Sequence, residues 1–196
     1  MELFYNIAHN PNYIPKPIWN GRSFNLSGKN RIEVPQYCYL FMNNKDSNEN
    51  TIYLYVGAFY IYQIMKYPQY LLYLYAGENY EQIEEYPKYL LYLRLEYCFF
   101  GKLVNLPHYL IYFHLGYEFN QEIKIFPINL LYLGLGQVFN HKIKEIPIYL
   151  LYLDLGYRYN QNFDKFSQYL TCLKLSESYK MDIKNYPKSL MILGYD

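Results

Sequence analysis

The chain has no excess of charge of either sign: its 196 residues hold 18 basic and 17 acidic side chains, a formal net charge of +1. Nucleic-acid binders neutralise phosphates with a clustered basic excess, so this balance speaks against such a partner. Cysteine is scarce. Cys38, Cys98 and Cys172 are odd in number and lack paired spacing, which argues against a disulfide framework and a zinc site and suggests a reducing compartment. The opening stretch MELFYNIAHN has neither the basic region nor the apolar run of a signal peptide. No segment reaches the roughly 18 uninterrupted apolar residues of a membrane-spanning helix. These absences lead to the expectation of a soluble cytoplasmic protein with no nucleic-acid or membrane partner.

Catalytic constellations are missing too. The histidines His9, His108, His114 and His141 fall at unrelated places in the pattern described below. There is no Gly-rich phosphate loop, metal-spaced Cys/His set or nucleophile elbow. The expectation is a protein that is not an enzyme and uses no cofactor or metal. Asn25-Leu-Ser fits a glycosylation sequon, read as chance without a secretion signal.

What the chain does have is tyrosine, 29 residues of it, within an apolar fraction of 52%. A bias that large has two ordinary causes: a repeated motif that carries tyrosine, or an AT-rich genome. The repeat is plain. Prolines stand at 68, 87, 107, 127, 147 and 187, with Ser167 in the remaining slot, so that after one step of 19 every interval is 20 residues. Counting from the proline brings out the apolar columns. Three residues on are Leu71, Leu90, Leu110, Leu130, Leu150, Leu170 and Leu190; six on are Leu74, Leu93, Phe113, Leu133, Leu153, Leu173 and Leu193. Eight on are Ala76, Leu95, Leu115, Leu135, Leu155 and Leu175, and twelve on comes an aromatic: Tyr80, Phe99, Phe119, Phe139, Tyr159 and Tyr179. A further unit at 52–67 keeps the phase, and Pro35-Gln-Tyr-Cys-Tyr-Leu looks like another repeat start, followed by a polar insertion near 43–50. Residues 1–50 are read as a degenerate capping region and 51–196 as the array of about seven coils.

Leucines at six and eight past the proline share a period of two, so both side chains point to one face of a short strand. Twenty residues per coil leave no room for a return helix after the turns. The predicted return path is extended or a short 3₁₀ segment. No coil buries its own apolar columns, whereas stacked coils align them into one core. The predicted fold is therefore a leucine-rich-repeat-like solenoid with a parallel β-sheet on its concave face and little α-helix. Seven strands would make a face on the order of 30 Å long. Helical repeats are opposed by a proline every coil and by the period-two leucines.

The run LxxLxL, then Gly, then Phe-Asn-Gln-x-Ile resembles the FNIP subgroup of leucine-rich repeats. It is clearest at 110–126 (LIYFHLGYEFNQEIKIF) and 130–146 (LLYLGLGQVFNHKIKEI), and it extends over roughly 52–196. Such repeats are typical of social amoebae and of large viruses that infect amoebae, often behind an F-box. The first fifty residues, with Pro11, Pro15, Pro17 and Gly21, do not resemble that helical module, so the adaptor role is not carried over. The Pro-x-x-Leu-x-x-Leu start is also similar to bacterial effector leucine-rich repeats.

Between the inward leucines lie outward strand positions, which are the candidate partner-binding residues. Five past the proline is a tyrosine ladder, Tyr73, Tyr92, Tyr112, Tyr132 and Tyr152. Two further on the column varies: Tyr75, Arg94, His114, Gly134, Asp154 and Lys174. Tyrosine gives contact area and a hydroxyl at small entropic cost, as interfaces use it. Equally, identical rings stacked up a parallel sheet stabilise one another, and both readings stay open. Asn120, Asn140 and Asn160 form a second ladder suited to bonding turn backbone, and Gly77, Gly116, Gly136 and Gly156 let the chain leave the strand. The expected function is a protein-protein interaction scaffold using the concave strand face. The alternative is a glycan-binding or self-assembling solenoid, the latter joining end to end through its last strand edge.

Overall fold

The computed structural model describes residues 39–42, 51–55, 67, 71–76, 85–95, 99, 101–181, 183 and 186–195. The expected loop near 43–50, most of the 1–50 cap, Cys98, Gly77 and Tyr80 lie outside the described residues. The strands are β1 (Tyr39–Met42), β2 (Thr51–Tyr55), β3 (Tyr73–Ala76), β4 (Tyr92–Leu95) and β5 (Tyr112–His114). They continue with β6 (Tyr132–Gly134), β7 (Tyr152–Asp154), β8 (Cys172–Leu175) and β9 (Ile192–Tyr195). All nine form one sheet in sequence order. From β2 to β9 each neighbour is parallel and in register, the proline-phased columns pairing with themselves: Tyr92 with Tyr112, Phe113 with Leu133, Asp154 with Lys174.

β1 departs from the expectation of a further coil. It runs antiparallel to β2, with Tyr39 opposite Tyr55. The cause is chain length: only residues 43–50 join the two strands, and a parallel crossover needs about a dozen residues or more.

No helix occurs among the described residues, and so none there is long and apolar enough to cross a membrane. Of the two return paths foreseen, extended backbone is the one present, broken by two single turns per coil. One turn closes on the proline carbonyl: Leu110 N donates to Pro107 O at 3.2 Å and Leu130 N to Pro127 O at 3.3 Å. In the unit without proline, Leu170 N donates to Ser167 O at 3.2 Å, while the Ser167 hydroxyl donates to Ile148 O at 2.7 Å. Serine thus ties its turn to the preceding coil by a side-chain bond that proline cannot make. The second turn follows the strand, with Phe119 N bonded to Gly116 O and Phe139 N to Gly136 O, both at 3.2 Å.

The core is the leucine columns of the sheet's inner face closed by the aromatic column. Leu90, Leu110, Leu130, Leu150 and Leu170 are fully buried. Phe99, Phe119, Phe139, Tyr159 and Tyr179 repeat at ring-centroid spacings of 6.2 to 6.5 Å. The asparagine ladder bonds coil to coil. Asn120 Oδ1 accepts from Asn140 N at 3.1 Å, Asn140 Oδ1 from Asn160 N at 2.9 Å, and Asn160 Oδ1 from Lys180 N at 2.9 Å. Backbone donors at this corner thereby find partners without a ladder strand.

Candidate functional site

The opposite face of the sheet carries the candidate residues. Its shape is set by one departure from regular pleating at the strand entrance. Ile111 N and Tyr112 N both donate to Leu91 O, at 2.9 and 3.1 Å, and Leu131 N and Tyr132 N both donate to Ile111 O at the same distances. Two successive donors converging on one carbonyl offset the alternation as in a β-bulge. The residues four and five past the proline consequently share the outer face, where Tyr73, Tyr92, Ile111, Tyr112, Tyr132, Tyr152 and Cys172 form an apolar cluster separate from the core.

The tyrosine ladder lies on the face expected of it, but it is not exposed there. Tyr73, Tyr92, Tyr112, Tyr132 and Tyr152 are all buried, Tyr92 to 1% exposure. Ring centroids stand 3.9 Å apart from Tyr92 to Tyr112, 4.1 Å from Tyr112 to Tyr132 and 4.7 Å from Tyr132 to Tyr152, with planes within 7° of parallel. In-register pairing delivers each ring at the strand repeat, close to the thickness of an aromatic ring, so neighbours cover each other's faces. The stack frays at Tyr73, tilted by 39° from Tyr92 at 5.8 Å, and its other end meets Cys172. Burial raises the phenol pKa of Tyr92, Tyr112 and Tyr132.

On one side of this stack the variable column lines a recess of about 360 Å³. Arg94, His114, Asp154 and Lys174 line it, all half-buried, together with Tyr117 and Gln137 from the turns. Tyr75, in the same column, packs against Tyr92 at 5.3 Å instead. Gly136 and Gly156 are among its walls, and a third glycine seats the His114 ring. Gly134 leaves the middle of the column bare, and the His114 ring lies over it: a Cβ there would stand 2.5 Å from His114 Cδ2. Asp154 binds at both oxygens, Oδ1 accepting from Gly156 N at 2.9 Å and Oδ2 meeting Lys174 Nζ at 3.5 Å.

The surroundings of His114 in the recess disfavour its charged form. Burial, then the Arg94 guanidinium and more weakly the Lys174 ammonium, lower its pKa to about 4, against an opposing effect of the Leu115 backbone. The imidazole is therefore neutral in the folded chain at neutral pH. In the unfolded chain it titrates near 6.5. Below that value the unfolded state binds the proton first, so stability falls as the pH drops from about 6.5 to 4. Melting temperatures of the wild type and His114→Gln across that window are expected to diverge, the wild type losing more. Parallel curves would refute the assignment.

On the other side of the stack lies a groove of about 640 Å³ that the sequence reading passed over. Leu91, Ile111, Leu131 and Leu151 form its floor, with Tyr109, Tyr149 and Tyr169 beside them. These tyrosines stand two past the proline and are about half exposed. Tyr89 and Tyr109 pair at 6.3 Å, and Tyr149 and Tyr169 at 6.0 Å. Asn129 interrupts the row and donates from Nδ2 to His108 O at 3.1 Å. The signal was the apolar doublet before each ladder tyrosine. Strict alternation would turn one member of it inward, and only the shared carbonyl turns it out.

No family model matches the chain, and no curated protein matches it. It is similar to a solved structure, that of CroV588, a novel circular leucine-rich-repeat protein from a giant virus. The likeness has a TM-score of 0.53 and 27% identity, covering 65% of this chain and 24% of that one. The matched region thus spans about a quarter of the viral protein. The likeness and the in-register parallel coils make this chain a leucine-rich-repeat-like solenoid.

Proposed function

We propose that the chain is a non-catalytic scaffold, with repeats of the FNIP type, that captures a protein partner in the cytoplasm on the outer sheet face. One observation carries this reading. On the outer sheet face, beside the constant tyrosine stack, one column changes chemistry from coil to coil, and it lines a recess across the stack from an apolar groove. Recognition needs that combination: contact area from constant apolar positions and discrimination from a few variable polar ones. The buried tyrosine stack belongs to the platform under the surface.

The test is affinity capture from a lysate of the source cells, using a variant that keeps the face in shape. Arg94→Gln, His114→Gln, Asp154→Asn and Lys174→Gln together remove the charges, while asparagine keeps the acceptor that Asp154 Oδ1 offers Gly156 N. The expected result is partner recovery reduced roughly tenfold or more, about 1.4 kcal/mol of binding, with a melting temperature at neutral pH close to the wild type. Undiminished recovery of the same partner overturns the proposal. Glycan binding is a second reading, favoured by the half-exposed Tyr109, Tyr149 and Tyr169 rings along the groove, and a sugar array bound through that row would put it first.

A further inference from the structure

We propose that the apolar groove beside the tyrosine stack binds a proline-rich segment of a partner protein in the polyproline II conformation. One side chain in three of that segment sits in the gap that Asn129 leaves in the tyrosine row. This deepens the scaffold reading and rests on it. Three observations on the groove converge.

The first is what the groove offers a backbone. Its floor is the apolar side chains of Leu91, Ile111, Leu131 and Leu151, and none of its described lining residues is charged. The strands beneath, β4 to β7, are each paired on both sides, so no sheet edge here is open to an added strand. A segment with ordinary backbone N–H groups would press donors against leucine and lose their bonds to water. Proline has no N–H to lose. Polyproline II makes no internal hydrogen bonds, so its carbonyls need outside donors. The half-exposed Tyr109, Tyr149 and Tyr169 stand along the groove with hydroxyls of the kind those carbonyls accept from.

The second is the gap itself. Tyr89 and Tyr109 face each other at 6.3 Å, as do Tyr149 and Tyr169 at 6.0 Å, and neither pair leaves room for a side chain between its rings. Between the two pairs stands Asn129 in place of a ring. Its Nδ2 donates to His108 O at 3.1 Å, which ties the short amide back to the preceding coil. The half-buried Leu131 is the floor of that unit. An apolar side chain entering there meets tyrosine on either side and leucine below.

The third is the period. Tyr109 and Tyr149 belong to coils two apart, about 9.6 Å at the strand spacing, and three residues of polyproline II advance about 9.3 Å. From the coil of Leu91 to that of Tyr169 the two repeats drift by only about 0.6 Å. An α-helix advances about 5.4 Å per turn against about 4.8 Å per coil, a drift of about 2.4 Å over the same span.

The experiment measures fluorescence anisotropy of labelled peptides on the full chain. The probe is a short acetylated repeat of Leu-Pro-Pro. Its controls are the same repeat with alanine for proline, a shuffled peptide with its leucines adjacent, and a β-linked glucose oligomer as unlabelled competitor. The Leu-Pro-Pro repeat is expected to bind roughly tenfold more tightly than either control peptide, and the sugar should not displace it. Asn129→Tyr restores the residue that the neighbouring coils carry, so it should melt like the wild type while weakening the peptide roughly tenfold by closing the gap. Leu131→Lys, which puts a charge on the floor, should weaken it as much. Equal binding by the alanine or shuffled peptide, displacement by the sugar, undiminished binding to Asn129→Tyr, or no binding by any peptide overturns the inference. Its failure is separable from that of the scaffold. If the charge-removed variant loses its cellular partner while no proline peptide binds, the scaffold stands and the groove assignment falls. If the peptide binds through the gap while the charge-removed variant keeps its partner, the groove assignment stands and the variable column is not what the partner uses.

Discussion

Replacing Tyr112 with alanine is expected to cost about 4 kcal/mol of unfolding free energy, the range found when a buried aromatic is truncated in a close-packed core. The ring is 2% exposed and lies between two others at 3.9 and 4.1 Å. Removing it opens a slot bounded by the flat faces of Tyr92 and Tyr132. The sheet holds their strands at fixed spacing, so the slot cannot close. Tyr112→Phe keeps the ring and is expected to cost about 1 kcal/mol or less, the net worth of an ordinary hydrogen bond. Tyr73→Ala should cost less than Tyr112→Ala, since Tyr73 meets its neighbour at 5.8 Å and 39°. Urea denaturation of the three variants orders these values. If Tyr112→Ala unfolds within about 1 kcal/mol of the wild type, the stack is not what holds the outer face together, and its tyrosines return to the list of recognition residues.

Gly136→Ala is expected to abolish folding of the central coils or to cost more than about 3 kcal/mol, the range of severe steric strain. A Cβ at Gly136 would overlap the carbonyl oxygen of Gly116, backbone of the coil below that has nowhere to move. The next step of the column is also too tight for a side chain. Gly156 has φ +64°, and a Cβ there would stand 2.5 Å from Gly136 O and 2.8 Å from Leu135 O. Gly134→Ala is the control. There the obstacle is the His114 ring, the far end of a side chain able to rotate away. That variant should fold with a loss on the order of 1 kcal/mol while expelling His114 from the recess. Soluble yield and thermal melting separate the two cases. A Gly136→Ala chain that melts like the wild type would mean that the coils have slack between their turns.

The repeat was legible because its signal is redundant. Proline, leucine and aromatic columns each report the same 20-residue period, and any two survive the loss of the third, as Ser167 shows in its proline's place. Strand position and register followed at once, Tyr92 pairing with Tyr112 as the columns require. The outer face was only half legible. Alternation places Tyr112 and His114 outward, but it cannot say that rings delivered at the strand repeat will close over one another and leave the surface. Nor can it foresee that Ile111 shares that face, because the cause is a backbone bond pattern, two donors on Leu91 O, and the apolar doublet does not say which of its members turns outward. The recess was illegible for a different reason. One of its walls is a histidine that lies across Gly134 of the neighbouring strand, a placement that no single column states. The hairpin of β1 and β2 could have been read, since the eight residues between them are too few for a crossover.

The asparagine ladder gives the array a direction. Each carbonyl reaches forward, so that Asn120 serves the coil of Asn140, which serves that of Asn160. A coil folded on its predecessor finds an acceptor already set; one folded without it does not. In a linear array whose strands bond only to those before and after, the order of assembly is thereby biased from low numbers to high. Under tension applied to its last strand, the chain would pay out in regular lengths. Each coil of 20 residues would release about 70 Å of extended backbone and leave the coil behind it still seated on its neighbour.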